Sequence, residues 1–135
     1  AVRLAGIYGP GRTRLIDSVR SGEAVIYDDP PRYTNRIHVD DCARLLRHLG
    51  EVPDPASTYI GVDHDPATDR DVKEWLAAAL GAPTPPSAAD RPEARAGGRR
   101  GGNKRCSNRR VAGAGFVFSY RDFRAGYGAL LEDLP

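Results

Sequence analysis

The segment Val2–Tyr8 most constrains the fold, because it has the pattern of a buried strand that ends abruptly in a turn. Its residues, VRLAGIY, are mostly apolar, and Gly9, Pro10 and Gly11 follow at once. Glycine and proline at this density end a strand. In α/β proteins, ligands often bind where a strand runs into a turn. The end of this first strand is therefore a candidate ligand site.

The rest of the chain predicts mainly amphipathic helices with few strands between them. The strands are an extended stretch at 33–39 and STYIGVD at 57–63. The helices are predicted at 13–21 before Gly22, from an N-cap at Asp40 to Gly50, from Thr68 or Asp69 to Gly81, from Ser107 or Asn108, and at 121–131. This order is mixed α/β. The apolar faces of the helices exceed what so small a sheet can cover, which indicates a missing layer.

Composition excludes several classes of protein. The chain has 135 residues, enough for about one domain, and its net charge of +2 is too small to imply nucleic acid. No apolar run approaches the ~20 residues of a membrane span, and no signal peptide opens the chain. Cys42 and Cys106 are too few for a disulfide scaffold, and no Cys-x-x-Cys suggests zinc. We therefore expect a cytoplasmic protein with reduced thiols and no metal, although a single disulfide stays open.

The composition also divides the chain into three parts. Residues 1–81 hold the predicted α/β region, residues 82–102 are rich in proline, glycine and arginine, and residues 103–135 form a helical segment of the same domain. The middle part has the composition of a linker or loop. The missing initiator methionine fits a fragment or a processed product.

Five segments together resemble a known family. In order they are IYGPGR, NRIHVDDCA, STYIGVDHDPATDRDVKEWL, NKRCSN and SYRDFRAGYGALL. Their order and spacing resemble the C-terminal part of an extended short-chain dehydrogenase/reductase, the NAD-dependent epimerase/dehydratase family. The resemblance implies the C-terminal portion of a Rossmann-like NAD(P)-binding fold, with the last strands of its sheet, a small substrate-side helical region and the N-terminal cofactor half absent.

The resemblance also implies roles for individual residues. Tyr8, Gly9 and Pro10 would pass the nicotinamide side of NAD or NADP. The substrate would be a small molecule, and an anionic one would suit the basic side chains assigned to it, Arg12, Arg36, His38, Lys104 and Arg105. From the residues alone, Arg36 and His38 fit two interpretations, a cleft shared with Thr34 or ordinary packing and surface positions.

The family's catalytic groups are not in this sequence. No Gly-rich turn follows a strand, since Gly6 and Gly9 are followed by Arg12 in the third position. None of the six tyrosines has a lysine four residues later. We therefore expect a chain that is inactive alone and needs a missing N-terminal Rossmann portion or a partner chain, so whether it is an enzyme stays open. Gly6 and Thr34 replace an Asn and an Arg common in the family, which disfavours a nucleotide-sugar substrate and suggests an atypical branch.

Two further patterns leave alternatives. The run Asp63-His64-Asp65 could hold a metal, but a strand-end turn followed by Pro66 is the commoner cause. The basic residues of 91–110 suggest a substrate cleft, a solvated loop, or a non-enzymatic module that binds RNA or another acidic partner. Nucleic acid is disfavoured because no aromatic residue interleaves the basic ones.

Overall fold

The computed structural model describes residues 1–95 and 103–134. In chain order the elements are β1 (Val2–Leu4), β2 (Gly6–Tyr8), α1 (Arg14–Ser21), β3 (Arg36–His38), α2 (Val39–Gly50), β4 (Tyr59–Gly61), α3 (Asp69–Leu80), a 3-10 helix (Ala88–Asp90), α4 (Pro92–Arg95), α5 (Arg109–Gly113) and α6 (Phe123–Glu132). The chain divides into two compact units. Unit 1 comprises Ala1–Arg12, Asn35–Pro66 and Cys106–Pro135, and unit 2 comprises Thr13–Thr34 and Ala67–Arg105.

The strands of unit 1 pair in parallel, β1 with β4 and β2 with β3. The single strand predicted at 2–8 is broken at Ala5, whose N–H donates to Gly61 at 3.0 Å while the next N–H, of Gly6, donates to Asn35 at 3.2 Å. Successive residues of a strand turn their N–H groups to opposite edges, so β4 and β3 lie on opposite edges of this segment. Among the described residues, β1 and β2 therefore each have one edge without a paired strand.

Helix α2 begins one residue after His38, which is its N-cap. His38 has extended backbone, and its Nδ1 accepts the N–H of Asp40 at 3.1 Å. The prediction that Asp40 caps this helix is therefore wrong, because the strand passes directly into the helix and Asp40 lies in its first turn, 62% exposed. The apolar residues on the buried side of α2 belong to a hydrophobic cluster of unit 1 that contains Ile37, Cys42, Leu45, Leu49, Tyr59, Val111, Phe116 and Phe118.

Helix α6 begins after Asp122, whose Oδ1 accepts the N–H of Ala125 at 2.9 Å. The prediction placed its start two residues earlier. Its buried side consists of Phe123, Gly126, Tyr127 and Leu130. Of the four inward positions that the apolar pattern predicts, Phe123, Tyr127 and Leu130 are confirmed, whereas Leu131 is only half-buried.

Unit 2 is built around α1 and α3, which contact each other. Thr68 caps α3, since its Oγ1 accepts the N–H of Asp71 at 3.1 Å, as predicted. Lys73 of α3 is buried and donates to the Val25 carbonyl at 2.6 Å and to Asp69 at 2.9 Å. The buried ammonium of Lys73 therefore holds α3 against the segment around Val25.

Part of the predicted linker is also held in place in unit 2. Ile26 donates its N–H to Pro86, and Ala88 donates to Ile26, both at 2.8 Å. Residues 96–102 of the predicted linker lie outside the described residues.

Candidate functional site

The turn after β2 presents its backbone outward. Gly9 and Gly11 have φ of 148° and 78°, values that glycine adopts without steric cost. The N–H of Arg12 donates to the Gly9 carbonyl at 2.9 Å and closes the turn. Gly9 is buried, whereas Pro10, Gly11 and Arg12 are exposed. A ligand would therefore meet this turn through residues 10–12.

The side chain of Tyr8 lies beneath α6 and not at the surface. It is 5% exposed, its ring centroid is 4.4 Å from that of Tyr127, and its Oη has no hydrogen-bond partner among the described residues. Burial, together with the negative charge of Asp63, raises the pKa of the Tyr8 phenol. The phenol is therefore neutral and part of the packing.

His38 is 3% exposed, and its ring stacks on that of Tyr120 at a centroid distance of 3.9 Å and 24° between planes. Burial lowers the pKa of the imidazole, although the carboxylates of Asp40 and Asp41 oppose this effect. Since Nδ1 accepts a hydrogen bond, the neutral ring carries its proton on Nε2.

Asp41, one residue further, joins α2 to the segment before α6. Its carboxylate is fully buried and accepts the N–H of Ser119 at 2.9 Å and that of Tyr120 at 2.8 Å. Arg44 donates to the same carboxylate at 2.6 Å. Three charge-assisted hydrogen bonds hold Tyr120 over His38.

Arg36 and Asp63 are the other buried charged residues near α6. Arg36 is 7% exposed, and its guanidinium carbon lies 5.7 Å from the centroid of the Phe123 ring. The N–H of Asp63 donates to the Arg36 carbonyl at 2.9 Å. Oδ1 of Asp63 accepts the N–H of Asp65 at 3.0 Å, which confirms the strand-end turn predicted for these residues.

An open cleft of about 480 Å³ borders that turn. Its lining residues are polar except for one alanine: His64, Asp65, Ser119, Arg121, Asp122 and Ala125. Both signs of charge are present.

The predicted basic residues occupy different settings. Arg12 is exposed. Burial raises the pKa of the Cys42 thiol, and the positive charge of Arg12 offsets part of this rise. Lys104 and Arg105 are exposed in unit 2, where the Arg105 guanidinium lies 4.7 Å from the ring centroid of Tyr33. The binding roles assigned to all five basic residues, and to Tyr8, Gly9 and Pro10, stay predictions.

Two residues of this region, Asp41 and Tyr120, carry no signal in the sequence. They meet over a long separation, since Tyr120 lies 79 positions after Asp41. Both cysteines are free. Among the described helices, none combines the length and apolar character needed to cross a membrane.

Among known proteins, the chain is similar to solved structures only at the level of individual proteins, and not to a family model or a curated sequence. Among solved structures, a protein from Methylobacillus flagellatus described as an NAD-dependent epimerase/dehydratase is 31% identical with a TM-score of 0.74. A conserved protein of unknown function from Silicibacter pomeroyi is 35% identical with a TM-score of 0.81.

These matches cover nearly all of this chain but less than half of the relatives. They include 97% and 98% of this chain, which spans 45% and 48% of the two relatives. The human epimerase family protein SDR39U1 (isoform 2), solved with NADPH, shares the fold at 21% identity, a TM-score of 0.78 and the same partial coverage of 48%. By fold and sequence the chain is therefore similar to a protein of the NAD-dependent epimerase/dehydratase family over just under half of that protein's length, which is consistent with a C-terminal part.

Proposed function

We propose that this chain is the substrate-side portion of an NAD(P)-dependent, epimerase/dehydratase-like oxidoreductase and that it is inactive alone. One observation carries the proposal: the chain superimposes almost whole on just under half of a protein described as an NAD-dependent epimerase/dehydratase. The open edges of β1 and β2 support it, since a larger sheet would pair them.

The exposed turn defines what the chain would offer a cofactor. The nicotinamide side of NAD or NADP would meet the exposed residues Pro10, Gly11 and Arg12. The Tyr8 phenol is buried and would not contact the cofactor. A methyl group added at position 11 would meet no atom within 4 Å, so the turn has open space beside it. Tyr8 would support the turn from beneath α6.

The hydride and proton chemistry would come from residues outside this chain. The sequence contains neither a Gly-rich turn after a strand nor a tyrosine with a lysine four residues later. The basic side chains predicted to meet an anionic substrate are exposed in both units, Arg12 in unit 1 and Lys104 and Arg105 in unit 2. Their role and the cytoplasmic location remain part of the proposal.

A complementation experiment tests this function. The chain is mixed with the part of the Methylobacillus flagellatus protein that it does not match, and NADPH binding is followed by nucleotide fluorescence. We expect the mixture to bind NADPH more tightly than either piece, and we expect Arg12→Ala to weaken that binding. Turnover of NADPH by the isolated chain would refute inactivity, and two pieces that neither associate nor bind would refute the proposed portion.

A second candidate, a binding module for RNA or another acidic partner, has one specific observation in its favour. The sequence shows no aromatic residue among the basic ones, yet the fold places the Tyr33 ring under Arg105. An aromatic ring beside arginine suits stacking with single-stranded RNA. Binding of an RNA oligonucleotide that weakens with salt and with Arg105→Ala would support it, and salt-independent or absent binding would exclude it.

A further inference from the structure

Asp63 is a buried acid with only half of its carboxyl group satisfied. It lies two residues after β4 and is 2% exposed. Oδ1 accepts the N–H of Asp65, whereas Oδ2 is buried without a hydrogen-bond partner among the described residues. An ionised carboxylate in this position would leave a charged oxygen unsatisfied, so the neutral acid fits better.

The groups around Asp63 come from three elements and its own turn. Arg36 of β3 favours the ionised form, while Asp65 in the turn and Asp122 at the start of α6 oppose it. The negative charge of ionised Asp63 would also raise the pKa of two phenols, those of Tyr8 on β2 and Tyr127 on α6. Burial outweighs the attraction of Arg36 and the hydrogen bond from Asp65, and it raises the pKa of Asp63 to about 7.

We propose that Asp63 is a proton-controlled latch for α6: the neutral acid lets α6 pack on β2 and β3, and loss of the proton loosens α6 near neutral pH. The packing of α6 places Tyr127 on Tyr8 and Phe123 beside Arg36. The turn that holds Asp63 is tied to this helix, since Arg124 of α6 pairs with Asp65 at 3.5 Å and the N–H of His64 donates to the Arg121 carbonyl at 3.0 Å. Opening α6 hydrates the carboxylate and removes the cost of its burial. The latch needs neither cofactor nor substrate, so it is independent of the proposed function.

The size of the effect follows from the two pKa values. An acid that titrates near 7 when packed and near its ordinary 3.8 when hydrated makes opening more favourable as pH rises from the lower value to the upper one, and the effect levels off above about 7. Between pH 6 and pH 8 the population of the open form should increase about tenfold. The latch is fully closed only below the ordinary pKa of 3.8, where the hydrated acid also keeps its proton.

Amide hydrogen exchange of the full chain tests the latch. Protection factors, corrected for the intrinsic effect of pH, are measured for α6 and for α2 between pH 6 and pH 8. We expect protection of α6 to fall about tenfold in the wild type, to stay constant in Asp63→Asn, and to fall as in the wild type in Glu132→Gln. Glu132 is the matched control, since it is an exposed acid of α6 and is not among the groups that shift the pKa of Asp63.

Three outcomes would overturn the proposal. They are constant protection of α6 in the wild type, an equal loss in α2, which would mean global unfolding, and a pH dependence that survives in Asp63→Asn. The carboxyl carbon of Asp63, followed by NMR in the wild type, gives a measurement that does not depend on the variant folding. A midpoint near 7 supports the latch, and a midpoint near 4 refutes it.

Discussion

Gly126 of α6 lies directly against the phenol of Tyr8 on β2. A methyl group at position 126 would overlap the phenol oxygen and approach two ring carbons. The helix approaches the strand this closely because residue 126 has no side chain. The same contact places Tyr127 on the Tyr8 ring and buries both residues.

Replacing Gly126 by alanine should therefore destabilise the chain. In an unobstructed helix the change stabilises by about 0.5–1 kcal/mol, but here overpacking should cost about 1–3 kcal/mol. Urea unfolding measures the difference. Gly128→Ala is the matched control, because it lies in the same helix with nothing within 4 Å, and it should be neutral or stabilising. Equal effects of the two variants would mean that Tyr8 does not limit position 126.

Removing the Asp41 carboxylate should be among the most damaging single changes. Asp41→Ala leaves the N–H groups of Ser119 and Tyr120 without their acceptor and Arg44 without its buried partner. Loss of these bonds should lower the free energy of unfolding by about 3–5 kcal/mol. Asp40→Ala, one residue earlier and exposed, should lower it by about 0.3–1 kcal/mol through the helix dipole alone. Denaturant unfolding of the two variants compares their stability, and similar losses would contradict a stabilising role for the hydrogen bonds of Asp41.

Local patterns predicted much of the secondary structure because local forces decide it. The helix ends at Gly22 and Gly81 are confirmed, since both residues adopt positive φ at the C-caps. The N-cap at Thr68 is also confirmed, because it depends on a hydrogen bond to a residue only three positions away. Leu46 shows the limit: it fits the apolar stripe of α2 but is 48% exposed, because a period of 3.6 defines a wider face than the core covers.

The candidate site was less predictable because its contacts are long-range. Asp41 resembles an ordinary first-turn acid until the chain brings Ser119 and Tyr120 to it. Likewise, Tyr8 was assigned to a cofactor edge by resemblance, whereas burial of its phenol depends on a glycine that lies far along the chain. Sequence reasoning placed the turn at residues 9–11 correctly, since glycine and proline determine it locally.

His38 should make the chain less stable in acid. Burial lowers the pKa of its imidazole, so the unfolded chain binds a proton more readily than the folded one. The contribution of His38 to the free energy of unfolding should be complete above the ordinary imidazole pKa of about 6.5. It should be lost as pH falls through the lower pKa that the imidazole has in the folded chain. Replacement by asparagine, a good N-cap, should remove this dependence. The check is the difference in unfolding free energy between wild type and His38→Asn across pH 4–8, which cancels the contribution of Asp63. A constant difference would contradict the neutral, buried imidazole.

The open edge of β1 should make the isolated chain associate with itself. Leu4 is 36% exposed beside this edge, and an exposed apolar strand is a template for another strand. Leu4→Lys places a charge there, while the lysine stem can keep part of the packing, so self-association should weaken in sedimentation velocity across a range of concentrations. Val117→Lys is the control, because Val117 is 74% exposed and lies outside the strands. If Val117→Lys dispersed the chain and Leu4→Lys did not, association would depend on the surface around residue 117, and the strand edge would have no part in it.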